Sequence, residues 1–147
     1  MYKLIVGISF LCVIGLFSCR NNAASANTKE NTVDHLSDSA NFTTIQWTDT
    51  TKDFGSVIKG AKPKIVYVCK NTGEKPLFIA YVHPSCGCTV ADYTKDAILP
   101  GKEGNITAEF DSNHGSAGEI HKSIEVAVNA KNKPVIYLTF SGKVLDK

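Results

Sequence analysis

The sequence predicts an all-β domain, an immunoglobulin-like antiparallel β-sandwich of about seven strands. Short runs rich in β-branched and aromatic residues recur along the chain, and turn residues separate them about every 8 to 12 residues. No segment of the mature chain keeps the period of about 3.6 residues that a helix requires. The predicted strands cover residues 44–48, 53–57, 64–70, 77–82, 104–110, 118–129 and 133–144.

Side-chain alternation divides several predicted strands into two faces. Trp47 alternates with polar neighbours, so we expect it to be a core or edge aromatic. Cys69 shares its strand face with Ile65 and Tyr67, which indicates that its side chain points inward. The last predicted strand has two faces, one with Val135, Tyr137 and Thr139 and the other with Ile136, Leu138 and Phe140.

Turn residues mark the connections between these strands. Residues 71–76 read NTGEKP, in which Asn, Gly and Pro each favour a chain reversal. Pro100 and Gly101 stand where a type II turn needs them. The triplet Asp53-Phe54-Gly55 is interpreted as a turn or the start of a strand, since the catalytic loop that a kinase would need is missing.

The first eighteen residues have the features of a lipoprotein signal peptide. Lys3 supplies a positive charge, and residues 4–17 form an apolar run that is too short to span a membrane comfortably. The run ends in Leu16-Phe17-Ser18-Cys19, which resembles a bacterial lipobox. We therefore expect Cys19 to be acylated and to anchor the protein to a membrane through acyl chains.

Residues 19–42 are predicted to be the acylated cysteine and a flexible tether, and residues 43–147 the sandwich domain. Small and polar residues dominate the tether, which cannot bury enough apolar surface to offset its ordering entropy. Residue 20 is Arg, and no acidic run follows Cys19. By resemblance to lipoprotein-sorting rules, this favours the outer membrane, on its periplasmic side.

Composition and motifs exclude several classes of function. Sixteen basic and fourteen acidic residues give a net charge of +2, with no broad positive field for nucleic acid. The chain lacks GxSxG, HExxH and a Gly-rich phosphate loop. We therefore expect no enzyme activity and no cofactor.

Cys86-Gly87-Cys88 is the stretch with the most chemical potential. In a structural interpretation it forms a tight bend, with Gly87 at positive φ and one cysteine packed inward. A second interpretation is a disulfide. The pair Cys86–Cys88 would close a small ring that is easily reduced, and a bridge from Cys69 to either cysteine is the other pairing.

Two chemical interpretations use the same residues. His83, Cys86 and Cys88 offer one imidazole and two soft thiolates within six residues, a set that suits Cu(I) or Zn(II). Cys69 is a possible third thiol of such a site. Thiol catalysis is the other possibility, although redox cysteines usually form a CxxC motif at a helix N-terminus.

Six short motifs resemble the domain-of-unknown-function family 1573, and the resemblance covers residues 44–144. The matching motifs are Asp53-Phe54-Gly55, Lys70-Asn71-Thr72-Gly73 with Pro76-Leu77, Cys86-Gly87-Cys88-Thr89, Pro100-Gly101-Lys102 and Ser141-Gly142-Lys143-Val144. The resemblance implies an immunoglobulin-like sandwich on secreted or lipid-anchored bacterial proteins, with no established reaction. Family members commonly have an aromatic residue in place of Cys69. They often have a further Cys just before the CGCT motif, where this chain has His83-Pro84-Ser85.

Together these features predict a lipid-anchored cell-envelope protein with one immunoglobulin-like domain. The domain is expected to be a non-enzymatic binding or structural module for a protein or glycan partner, through edge strands and loops. The alternative is a periplasmic protein that handles thiols or a soft metal through Cys86 and Cys88.

Overall fold

The computed structural model of the chain describes residues 39–146. The predicted signal peptide, Cys19 and the tether up to residue 38 lie outside this range. In the described part, no helix is long and apolar enough to cross a bilayer. One-turn 3-10 helices cover Ser39–Asn41 and Ser112–His114. The strands are β1 (Ile45–Trp47), β2 (Thr51–Ile58), β3 (Lys64–Asn71), β4 (Ile79–Pro84), β5 (Thr89–Tyr93), β6 (Glu103–Phe110), β7 (Gly118–Val128) and β8 (Val135–Leu145).

The strands form two four-stranded sheets, which confirms the predicted sandwich. The first sheet has the order β1-β3-β6-β5 and the second the order β2-β8-β7-β4. Neighbouring strands are antiparallel except for β2, which runs parallel to β8. The strand β5 is absent from the prediction because its pattern is inverted: Val90 is 71% exposed, whereas the polar Thr89 is only 6% exposed.

The core lies between the two sheets and contains the faces that alternation predicts. Tyr67, Cys69 and Leu138 are completely buried, and Trp47 is also a core residue. The Tyr67 hydroxyl donates a hydrogen bond of 2.7 Å across the core to the carbonyl of Thr139. Burial raises the pKa of Tyr67 to about 12, so this phenol stays protonated and ties the first sheet to the second.

Phe54 enters the core through an irregularity in β2. The pairing of β2 with β8 shifts register between Asp53 and Ser56, and Gly55 adopts a φ of 75°. The Phe54 ring lies 5.8 Å from Phe110 and 6.2 Å from Phe140, between ring centroids. The predicted turn or strand start is therefore a bulge that redirects one aromatic side chain.

Asn71 is fully buried, and its side chain uses all its hydrogen-bonding groups. Its Oδ1 accepts from Thr43 Oγ1 at 2.9 Å and from the N–H of Gly73 at 3.0 Å. Its Nδ2 donates to the carbonyls of Lys75 at 2.7 Å and Ile98 at 2.8 Å. The residue predicted to favour a reversal therefore also joins three separate segments at one end of the sandwich.

The turn at Pro100 docks on the backbone of the same asparagine. Lys102 N–H donates to the Leu99 carbonyl at 2.9 Å, and Gly101 has a φ of 76°, which confirms the predicted type II turn. The Gly101 N–H donates to the Asn71 carbonyl at 2.9 Å. Two predicted turns thus meet at one buried residue.

We predict that Asn71→Ala lowers the free energy of unfolding by about 3 kcal/mol, because it leaves buried partners without hydrogen bonds. Urea denaturation, followed by the fluorescence of the single Trp47, measures this loss. The matched control is Asn113→Ala at an exposed position, for which we expect a change below about 0.5 kcal/mol. Equal effects of the two substitutions would contradict the role assigned to Asn71.

Candidate functional site

The CGCT stretch lies where the chain crosses from one sheet to the other. The edge strand β4 of the second sheet ends at Pro84, and the edge strand β5 of the first sheet begins at Thr89. Only residues 85–88 make this crossing. Within them, Cys86 and Cys88 form a disulfide with a Cα–Cα distance of 5.3 Å.

Both ends of this crossing bend are anchored by hydrogen bonds to the sheets. At the β4 end, Ser85 N–H donates to the carbonyl of Ser123 at 2.9 Å, and Ser123 N–H donates to Ser85 Oγ at 3.2 Å. At the β5 end, Asp111 N–H donates to the Cys88 carbonyl at 2.9 Å. Inside the bend, Thr89 N–H donates to the Cys86 carbonyl at 3.3 Å. The backbone itself therefore keeps the two cysteines close together.

The bridge closes a short loop, so its expected contribution to stability lies below the usual range for a disulfide. It closes a loop of only three residues, and the chain-entropy relation gives about 1.6 kcal/mol for such a loop. The strands on either side of the bend also pair with their own neighbours, β4 with β7 and β5 with β6. The structure combines two of the alternatives considered above, because a tight bend contains a disulfide.

Gly87 does not have the positive φ expected of it, and that expectation is wrong. The hydrogen-bonded ends of the bend bring the flanking cysteines together without a left-handed residue at position 87. Gly87 is exposed, and a Cβ placed on it would have no neighbour within 4 Å. The outer side of the bend is therefore open to approaching molecules.

The structure separates the other two candidate residues from the bridge. Cys69 is a free thiol in the core, where it donates a hydrogen bond of 3.6 Å to the carbonyl of Gly104. Burial raises the pKa of this thiol to about 11, so it stays protonated and takes no part in a bridge with Cys86 or Cys88.

His83 is exposed on β4 and pairs in register with Glu125 of β7. Among the residues that the structure describes, no group of three or more His, Cys, Asp or Glu side chains is arranged to hold a metal ion. With their sulfurs joined, Cys86 and Cys88 also offer no thiolate. The four residues considered for a metal site are therefore not assembled into one.

A second feature lies on the outer face of the second sheet, next to the bend. Glu125 accepts hydrogen bonds from the hydroxyls of Tyr81 at 2.5 Å and Tyr137 at 3.1 Å. The hydrogen bond from Tyr81, followed by that from Tyr137, lowers the pKa of the Glu125 carboxyl. Both tyrosines are exposed, so two aromatic rings are fixed around one ionised carboxylate.

A depression of about 420 Å³ continues this face toward the bend. Ser123 and Thr139 pair in register two residues beyond the pair formed by Glu125 and Tyr137, on the same side of the sheet. Hydroxyl groups predominate among the lining side chains, which are Thr51, Ser85, His121, Lys122, Ser123, Thr139, Phe140 and Ser141. We call this surface, from Tyr81 to Ser141, the hydroxyl face.

Sequence reasoning did not identify the hydroxyl face. Alternation correctly placed Tyr137 and Thr139 together on one side of the last strand. Tyr81 and Glu125 join them only through the pairing of β4 with β7 and of β7 with β8. Because the register between strands cannot be read from a single strand, this cluster had no local signal.

The topology defines a class, the immunoglobulin-like and PapD-like sandwich domains. A family model described as "Protein of unknown function (DUF1573)" matches residues 45–144, and the chain belongs to this family. The resemblance to this family is thus confirmed. No curated protein matches the chain.

Solved structures support the same class. A protein of unknown function from Porphyromonas gingivalis W83 superposes with a TM-score of 0.63 at 19% identity, over 72% of this chain and 49% of that one. This chain therefore spans about half the length of that protein. The ASH/PapD-like domain 7 of human CEP192 gives a TM-score of 0.57 at 9% identity, over 72% of this chain and 88% of that domain. The YadV chaperone superposes with a TM-score of 0.50 at 12% identity, over 68% of this chain and 51% of that one. At these identities the likeness shows the fold alone.

Proposed function

We propose that this chain is a lipid-anchored cell-envelope protein whose sandwich domain is a non-enzymatic binding module for a glycan. The hydroxyl face is the observation that supports this proposal. It places two exposed tyrosine rings, one carboxylate and a row of hydroxyls on one side of the second sheet. Nothing in the described part of the chain covers this face.

The chemistry of the hydroxyl face favours a sugar over a protein surface. The centre of a protein–protein interface is apolar and depleted in charged residues, whereas here Glu125 and His121 stand among serines and threonines. Sugars present several hydroxyls together with apolar C–H surfaces. The carboxylate and hydroxyls can hydrogen-bond those hydroxyls, and Tyr81 and Tyr137 can contact the C–H surfaces.

The proposed location is the periplasmic side of the outer membrane, with Cys19 carrying the acyl chains. A tether of about 22 residues has an r.m.s. reach on the order of 25 Å when it behaves as a flexible coil. This reach lets the domain approach a polysaccharide near the membrane. Envelope glycans are therefore the first ligands to test.

We predict that the full-length protein binds envelope polysaccharides, such as isolated peptidoglycan, in a sedimentation assay. Tyr81→Ala combined with Tyr137→Ala should weaken binding by about tenfold or more, because it removes both aromatic contacts. The matched control is Val90→Ser, which alters an exposed residue of the first sheet and should leave binding unchanged.

Two results would contradict the glycan proposal. One is unchanged binding by the tyrosine variant, provided that circular dichroism shows its fold to be preserved. The other is the absence of binding to every envelope polysaccharide tested, together with saturable binding of a purified envelope protein to the same face. The second result would assign the face to a protein partner instead.

A separate prediction tests the anchor. Cys19→Ala should abolish acylation and leave the precursor unprocessed, since the lipobox cysteine is the acceptor of the lipid. Metabolic labelling with a fatty acid and the mass of the mature N-terminus report the outcome. The control is Cys12→Ala within the apolar run, which should mature normally. Normal acylation of the Cys19 variant would refute the lipoprotein assignment.

A further inference from the structure

We propose that the Cys86–Cys88 bridge is a thiol–disulfide exchange site, which accepts two electrons from a pair of partner thiols. This would add a chemical function to a module that otherwise only binds. The proposal is independent of the hydroxyl face, although Ser85 borders both features. Four observations carry it: the short loop that the bridge closes, the anchored backbone, the open outer side and the hydroxyl of Thr89.

The bend has anchors that do not depend on the bridge. The anchors at Ser85 and at the carbonyl of Cys88 connect main-chain groups to the two sheets and do not pass through sulfur. After reduction, the anchored backbone would keep the cysteines close together. The dithiol could then form the disulfide again without a large rearrangement. A disulfide that closes a short loop, on a backbone that hydrogen bonds hold at both ends, is suited to repeated opening and closing.

The two sulfurs have different surroundings. Both cysteines are half-buried, but only Cys88 packs against the hydrophobic core, and Cys86 is followed by the exposed Gly87. Because no atom lies within 4 Å of a Cβ placed on Gly87, a thiol can approach the bend from that side. Cys86 is therefore the sulfur that a partner thiolate attacks, and Cys88 is the sulfur that leaves.

Thr89 acts as a positioning residue for the outer cysteine. Its side chain is buried, and Oγ1 lies 3.7 Å from Cys86 Sγ, within the distance of a hydrogen bond to sulfur. When Cys86 is a thiolate, the hydroxyl can donate to it. Redox cysteines usually gain this stabilisation from a helix N-terminus. Here a strand residue would supply it.

The exchange takes place in two steps. A partner thiolate attacks Cys86 Sγ, the Cys86–Cys88 bond breaks, and Cys88 leaves as a thiolate that takes up a proton. A second partner thiolate attacks the partner sulfur of this mixed disulfide and releases the Cys86 thiolate, which Thr89 stabilises. Two thiols are oxidised to one disulfide, and the bridge is reduced to two thiols. Cys69 does not compete, since its buried thiol stays protonated.

The test incubates the full-length protein with reduced and oxidised glutathione at a series of ratios. Differential alkylation and peptide mapping then report Cys86 and Cys88 separately from the other cysteines. The expected result is a bridge that opens reversibly while the near-ultraviolet circular dichroism of the domain is kept. A bridge that stays closed in the native protein, at ratios that reduce it after denaturation, would overturn the proposal.

Single substitutions test the roles of the two sulfurs. With oxidised glutathione, Cys88→Ser should form a mixed disulfide at Cys86 about tenfold faster than Cys86→Ser forms one at Cys88. Equal rates, or a faster reaction at Cys88, would overturn the assigned order of attack. The measurement on the unsubstituted protein keeps the proposal testable if either variant fails to fold.

Thr89→Val keeps the size of the side chain and removes its hydroxyl. In the Cys88→Ser background, it should slow the reaction of oxidised glutathione with Cys86 by about fivefold. This factor corresponds to the free energy of one modest hydrogen bond. Thr89→Ser should restore the rate, since it returns the hydroxyl. An unchanged rate in the valine variant, or no rescue by serine, would remove Thr89 from the mechanism.

Discussion

The short crossing between the two sheets is the constraint on which the rest of the candidate chemistry depends. The chain leaves the edge of one sheet at Pro84 and enters the edge of the other at Thr89. Such a crossing fixes both ends of the bend, because each end belongs to a strand that is already paired. The two cysteines are therefore held within reach of each other by strand pairing, and the disulfide is a consequence of this geometry.

The same crossing organises the neighbouring surface. Ser85 is hydrogen-bonded to Ser123 of β7, and both residues line the depression on the outer face of the second sheet. The bend therefore continues directly into this depression. The bridge and the hydroxyl face thus lie side by side. In the interior, the Tyr67 hydrogen bond connects the two sheets, and the Asn71 hydrogen bonds connect loops at one end of the sandwich.

Much of the fold could be predicted because alternation is a local property of each strand. It predicted an inward side chain for Cys69 and placed Tyr137 and Leu138 on opposite faces of the last strand, as the structure shows. It failed at β5, where the exposed Val90 follows the buried Thr89. The site was less predictable, since the pairing of Cys86 with Cys88 depends on backbone geometry that residue types do not encode.

The central claim is that strand anchors, and not the bridge, hold the crossing bend. Hydrogen exchange of the amides of Ser85, Thr89 and Asp111, in the oxidised and the reduced protein, tests it most directly. The account predicts protection factors that agree within about threefold between the two states, because the acceptors of these amides are backbone carbonyls in both. Loss of protection at these three amides on reduction, with the rest of both sheets unchanged, would contradict it.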